Sequence, residues 1–209
     1  AMDKSVFHFI ADGFTGHNVT TVLVSYPLAP QATMDNIVAA CRRSMVWLYH
    51  HVAAHGGDPD QIYISGHSAG GHIVAMLMAT TWSEQDASLP ASLIKGGTAI
   101  SGLFNLEPIR LSYLNQVLGL DQAIASRNSP VNVGPATASP LIVAVGALES
   151  DEYHAQSRAL VEAWTGRGLS ISYLPVAHAN HFSILEQVID PQAALHQAMI
   201  NQIKGVPQN

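Results

Sequence analysis

Gln61-Ile62-Tyr63-Ile64-Ser65-Gly66-His67-Ser68-Ala69-Gly70-Gly71-His72-Ile73-Val74-Ala75-Met76-Leu77-Met78-Ala79 is the stretch on which the reading of this chain turns. Its first five residues are a short apolar run and predict a buried strand; Ile73 to Ala79 predicts a buried helix. Between them stands Gly66-x-Ser68-x-Gly70, and a serine in that spacing between strand and helix is a nucleophile elbow. Glycine is expected at 66 and 70 because the turn is too tight for flanking side chains. The strained turn lifts the Ser68 hydroxyl over the end of the sheet. The helix start aims free N–H groups and a partial positive charge at the same spot. Both effects suit a reaction that builds negative charge on oxygen. The bland alternative is a Gly-rich turn with no chemistry; the strand before and the helix after favour the reactive reading.

Working outward, strands and helices alternate. Val19 to Tyr26 is a β-branched run and predicts a strand, stopped by Pro27 and Pro30. Thr33 is placed to cap a helix that runs to about His55 and ends at Gly56-Gly57. Asp58-Pro59-Asp60 predicts a turn into the elbow strand. Further strands are expected at Ile94–Ser101, Leu141–Gly146 and Leu169–Leu174. Short helices are expected over 106–127, a loop over 129–140, a helix over 152–165, and a closing helix over 182–204. This βαβα pattern predicts a mostly parallel sheet with helices on both faces, and residues 1–209 as one domain.

Composition narrows the function classes. Of the 209 residues, 48% are hydrophobic and only 11% charged, which suits a parallel sheet buried on both faces. The net charge of -6, with no basic cluster, argues against nucleic acid as a partner. Cys41 is the single cysteine, which leaves no internal disulfide and no cysteine-based metal site; it is read as a small buried residue. No apolar run is long enough to span a membrane, no secretory signal is visible, and the cytoplasm is the default expectation.

An elbow serine needs a base, and the base needs a group that orients it. In open parallel sheets these groups sit at the carboxyl ends of strands, here in the order serine, acid, histidine. Past the strand ending at Gly146 the first carboxylate is Glu149. Asp151 and Glu152 compete, but both fall in the first turn of the next helix, where acidic residues complement the dipole. Past Leu174 come His178 and His181; His181 precedes the closing helix and would hang over the sheet, whereas His178 reads as a loop residue bonded to backbone. The N–H of Ala69 is the oxyanion donor that the elbow itself supplies. Phe104 and Tyr153 follow strand ends and read equally as substrate-pocket lining or plain core. His51 and His55 share a helix face at metal-ligand spacing, but no glutamate lies between them and no third ligand is obvious, so a metal site is not expected. His67 and His72 are expected to be packed or backbone-bonded, and Trp47, Trp82 and Trp164 to be core.

The chain resembles α/β-hydrolases of the kynurenine formamidase (arylformamidase) type, close to the hormone-sensitive-lipase-like esterases. The resemblance rests on Tyr26-Pro27-Leu28-Ala29-Pro30, on the elbow Gly66 to His72, and on Ser101-Gly102-Leu103-Phe104-Asn105-Leu106-Glu107-Pro108. It continues in the acid loop with Gly146, Glu149-Ser150, Glu152-Tyr153 and Gln156-Ser157, and in Asn180-His181-Phe182. It implies nucleophile Ser68, acid Glu149 and base His181, no metal or organic cofactor, and a small ester or aryl formamide such as N-formylkynurenine as substrate, in tryptophan catabolism. The match departs where Glu149 stands for the usual Asp and Asn180 for the Asp beside the histidine. The His-Gly-Gly-x-Trp motif that completes the oxyanion hole in these enzymes does not occur in the sequence. N-terminal strands of the fold are therefore expected to be missing from this chain, which reads as the C-terminal portion of a longer protein. The alternative is a sheet that closes without that strand or borrows one from another chain, as in a homodimer. Loss of one oxyanion donor costs roughly 2.7–4 kcal/mol of transition-state stabilisation. That leaves a general carboxylesterase, or a non-catalytic binding protein on a truncated hydrolase fold, as the rival expectations.

Overall fold

The structure, a computed structural model, describes residues 4–206. Helix α1, Met34–His51, starts where its cap predicts: Thr33 is extended and its Oγ1 accepts the Asn36 N–H at 3.3 Å. A 3-10 turn, Val52–His55, follows and ends at Gly56, whose φ of 82° is a left-handed stop. Asp58 Oδ1 accepts the Asp60 N–H at 2.8 Å and turns the chain into strand β1, Ile62–His67. After Ser68 alone, helix α2 begins and runs over Ala69–Met78, so Gly70 and Gly71 form its first turn rather than preceding it. Strands β2, Ile94–Ile100, and β3, Leu141–Gly146, helix α3, Asp151–Thr165, strand β4, Ile171–Val176, and helix α4, Ala194–Ile203, complete the frame. Short helices Glu107–Arg110, Asn115–Leu118 and Gln122–Arg127 lie where short helices are predicted. Residues 129–140 contain a helical turn, Pro130–Val133, because proline fits the first helical position, where no N–H is needed.

The strands form one sheet in the order β1-β2-β3-β4, and every pairing is parallel. His67 pairs with Ile100, Ile100 with Ala144, and Gly146 with Val176, so all four carboxyl ends open along one rim. Alternate residues feed two layers. Leu141 and Val143 pack with α1, α2 and α3 through Met45, Met78, Leu160 and Trp164. Ala144 packs on the other face with Val176, Leu195 and Met199. Each large side chain buried this way contributes about 1.5–3 kcal/mol. The Trp164 indole N–H donates to the Pro130 carbonyl at 2.9 Å, so its burial leaves no polar atom unpaired.

Four expectations are corrected. The run Val19 to Tyr26 is not a strand: its residues make no ladder, and among the described residues β1 pairs with β2 alone. Propensity cannot make a strand without a neighbour to bond. Instead Thr20 to Leu23 line, with Trp47 and Leu48, an open groove of about 520 Å³. The closing helix is broken into Ser183–Leu185, Glu186–Ile189 and α4, because Asp190 is extended ahead of Pro191. Trp47 is not core but 52% exposed, with the His51 ring stacked on it at 4.6 Å, whereas Trp82 and Trp164 are buried as expected. Phe104 is fully buried, at 0% exposure, which makes it core and removes it from any substrate pocket. Cys41 is buried, and burial pushes its thiol up to about 11, the environment of an inert packing residue.

Candidate active site

Four strand ends converge on the rim. β1 delivers Ser68, whose φ of 57° and ψ of -116° hold it in a conformation that L-residues rarely adopt. The Ser68 N–H donates to the Ile100 carbonyl at 2.9 Å, which ties the elbow to the end of β2. The glycines that make the turn possible are 66 and 71. A Cβ on Gly66 would stand 2.3 Å from the Gly70 carbonyl oxygen, and one on Gly71 would stand 2.8 Å from the Ile100 oxygen. Gly70, expected to be crowded, is not: a Cβ there would meet no atom within 4 Å, because its direction leaves the turn. Ala69 is the first residue of α2, so its N–H is among those with no intrahelical acceptor.

Past β3, the Glu149 N–H donates to the Gly146 carbonyl at 3.0 Å and folds the loop back on the strand end. The Glu149 side chain is completely buried. Its Oε1 accepts the Ser101 hydroxyl at 2.5 Å and the Gly146 N–H at 2.8 Å, and its Oε2 accepts from His181 Nδ1 at 2.7 Å. Burial alone would raise this carboxyl; the bonds from His181, Ser101 and Gly146 outweigh it and hold it below the ordinary carboxylate value. Asp151, by contrast, is exposed at the first position of α3.

Past β4, His181 hangs from a turn fixed by Asn180. The Asn180 Oδ1 accepts the N–H groups of Phe182 at 2.9 Å and Ser183 at 3.0 Å, as an aspartate there would. His181 Nε2 lies 3.1 Å from Ser68 Oγ. One chain of hydrogen bonds thus links Ser68, His181 and Glu149. His178 is exposed, at φ 60°, and belongs to the turn rather than to this chain. The His181 ring has His67 at 4.5 Å, Tyr153 at 4.6 Å and Phe182, edge-on, at 5.5 Å between centroids. Burial first, and the neighbouring His181 second, push the His67 imidazole toward its neutral form. His72 is buried and bonded to the Asn128 carbonyl at 2.7 Å.

Ser101 is the residue that sequence reasoning passes over. It is fully buried at the end of β2, with φ 50°, and spends its hydroxyl on Glu149. The sequence signals are its place at the end of a strand and its position at the head of the Ser101–Pro108 stretch that carries the family resemblance, neither of which gives it a role. Gln156 of α3 holds the next residues in place, its Oε1 accepting the N–H groups of Phe104 at 2.8 Å and Asn105 at 2.7 Å.

A family model described as the alpha/beta hydrolase fold matches residues 8–183. Kynurenine formamidase of Danio rerio is 33% identical over 211 aligned residues, covering 97% of this chain and 68% of that protein. Kynurenine formamidase of Salmo salar is 31% identical with the same coverage. Among solved structures, a protein of Silicibacter sp. provisionally described as a thioesterase superposes with a TM-score of 0.80 at 26% identity, covering 98% of this chain and 71% of that one.

Proposed function

This chain belongs to the α/β-hydrolase fold family, and on that premise we propose that it is a serine hydrolase in which Ser68, His181 and Glu149 act as nucleophile, base and acid on an aryl formamide or small ester. The observation that carries the proposal is the unbroken relay from Ser68 Oγ through His181 to the buried Glu149 carboxylate.

The geometry gives each atom a task. Glu149 Oε2 accepts the Nδ1 proton, so neutral His181 presents a lone pair at Nε2. That nitrogen takes the Ser68 proton while Oγ attacks the substrate carbonyl carbon and the carbonyl electrons move to oxygen. The Ala69 N–H, at the positive end of α2, stabilises the oxyanion. His181 then passes its proton to the leaving amine or alcohol as the carbon–heteroatom bond breaks. Water, deprotonated by His181, repeats the attack on the acyl-enzyme and releases the acid, which is formate from a formamide. Glu149 fixes the tautomer and stabilises the transient imidazolium without taking the proton itself.

The relatives named kynurenine formamidase support N-formylkynurenine as the first substrate to test. A short-chain carboxylesterase is the second reading. Leu148, 66% exposed beside Glu149, and Phe182, 73% exposed beside His181, offer apolar surface that serves an ester as well as an aryl amide. Comparing kcat/KM for N-formylkynurenine with a series of p-nitrophenyl esters decides between them. Ser68→Ala should abolish turnover of whichever is preferred, by roughly 10⁴–10⁶-fold. Unchanged turnover in that variant would sink the proposal.

A further inference from the structure

The end of β2 touches both halves of the relay. The Ile100 carbonyl accepts the Ser68 N–H at 2.9 Å, and the next residue, Ser101, donates its hydroxyl to Glu149 Oε1 at 2.5 Å. Ser101 is fully buried and held at φ 50°, a left-handed conformation that is costly for a residue with a Cβ. Its own N–H donates to the Ala144 carbonyl at 2.8 Å, which extends the β2–β3 ladder by one residue and sets Ser101 beside the end of β3. There the Glu149 carboxylate folds back so closely that a Cβ on Gly146 would stand 3.0 Å from Oε1. Two donors from neighbouring strands thus meet on one oxygen, the Ser101 hydroxyl and the Gly146 N–H, and the other oxygen is left to His181 Nδ1 at 2.7 Å. An ionised carboxylate only accepts, so the Ser101 proton points at Oε1.

We propose that Ser101 is a positioning residue of the serine-hydrolase reaction: its hydroxyl pins Oε1 of Glu149 so that Oε2 stays charged and aimed at His181. The role rests on the reading of Ser68, His181 and Glu149 as nucleophile, base and acid. A glutamate carboxyl ends a chain of three rotatable bonds, and the Gly146 N–H alone holds it at one point. The Ser101 hydroxyl adds a second point and fixes the plane of the carboxyl group. It also favours the charged form against the cost of burial, alongside the bonds from His181 and Gly146. Ser101 keeps its proton throughout and meets neither substrate nor Ser68 Oγ, so it acts only through Glu149. Loss of the hydroxyl therefore falls on kcat and leaves KM near its original value.

The test compares the wild-type chain with Ser101→Ala and Ser101→Gly, measuring kcat and KM for p-nitrophenyl acetate from about pH 5 to about pH 9, the rate of fluorophosphonate labelling, and the thermal midpoint. Ser101→Ala should lower kcat and the labelling rate about 10–100-fold while KM moves less than about twofold. Glycine takes φ 50° without strain, so the two variants differ in backbone cost and share the lost donor; kcat should fall alike in both, whatever their thermal midpoints. Removing a donor from Oε1 disfavours the carboxylate, so the acid limb of kcat/KM, which belongs to the Glu149–His181 pair, should move to higher pH by about half a unit or more. His67 and Tyr153, the other titratable rings at His181, are the same in every variant. Placed in a Glu149→Gln background, Ser101→Ala should slow labelling less than about threefold further, because the group it acts through is already gone. Wild-type kcat in Ser101→Ala, or a loss that follows the thermal midpoint with the acid limb unmoved, would assign Ser101 to packing and overturn the proposal; failure of both variants to fold overturns it equally. A wild-type chain that is never labelled at Ser68 would bring down the hydrolase reading and this proposal together; a labelled wild type with unaffected Ser101 variants brings down this proposal only.

Discussion

Replacing Glu149 by glutamine changes one oxygen to NH₂ and leaves the shape almost unaltered. Glu149 accepts three hydrogen bonds through its side chain, from Ser101, Gly146 and His181, and donates none. The new amide has one acceptor oxygen to share among them. If its NH₂ points at His181, donor meets donor, Nδ1 must give up its proton, and Nε2 becomes protonated and unable to take the Ser68 proton. If it points the other way, it confronts the fixed Gly146 N–H. Either orientation breaks the relay or strands a buried donor. The wrong tautomer costs about 10⁴ in kcat in triad enzymes, which is about 5.4 kcal/mol at 1.36 kcal/mol per tenfold. The stranded donor costs about 1–3 kcal/mol of stability. At about 2–4 °C per kcal/mol for a chain of this size, the thermal midpoint should fall roughly 2–12 °C. Asp151→Asn is the control: it is exposed and complements the α3 dipole, so about 0.3–1 kcal/mol of stability and little activity should go with it. Initial rates on p-nitrophenyl acetate, with calorimetry to confirm folding, measure both variants. Glu149→Gln with more than about a tenth of wild-type kcat, or Asp151→Asn with the larger loss, would refute the reasoning.

Gly66→Ala should destabilise the elbow by more than about 2 kcal/mol, since its Cβ would stand 2.3 Å from a backbone oxygen, whereas Gly70→Ala meets no atom and should be neutral or slightly stabilising. Urea denaturation of the two variants checks the contrast, and equal behaviour would contradict it. Asn180→Asp should keep near-wild-type kcat, because it preserves the acceptor for the Phe182 and Ser183 N–H groups, while Asn180→Ala should lose several-fold as the His181 turn loosens. Initial rates of both variants on p-nitrophenyl acetate check this, and equal losses would contradict it. For pH, the Glu149 carboxyl is depressed in the folded state, so its stabilisation is present above the unfolded pKa of about 4.3 and is lost as pH falls through the lower folded value. Melts of wild type and Glu149→Gln from about pH 6 to about pH 3 should converge on the acid side; a gap that widens with acid would contradict the sign.

The parts legible in the sequence are those fixed by local pattern. A glycine-flanked serine between an apolar strand and an apolar helix, a carboxylate just past β3 and a histidine just past β4 all sit at strand ends, and strand ends are readable from hydrophobic runs and breakers. Parallel order follows from the alternation of elements. What stays hidden depends on partners distant in sequence. Val19 to Tyr26 has strand composition but, among the described residues, no neighbour to pair with, and Trp47 has an apolar ring that α1 turns outward. Ser101 gains its role only because β2 ends beside Glu149, which no local pattern announces. Phe104 and Tyr153, indistinguishable in sequence as residues near strand ends, part company in space: one is sealed in the core, the other lies on His181.

Mass-spectrometric mapping of a fluorophosphonate adduct on the folded chain tests the central claim most directly, because only a serine activated by its base reacts readily. The account predicts one adduct, on the peptide containing Ser68, that disappears in Ser68→Ala and is strongly slowed in His181→Ala. An adduct on another residue, or efficient labelling of Ser68 without His181, would contradict it.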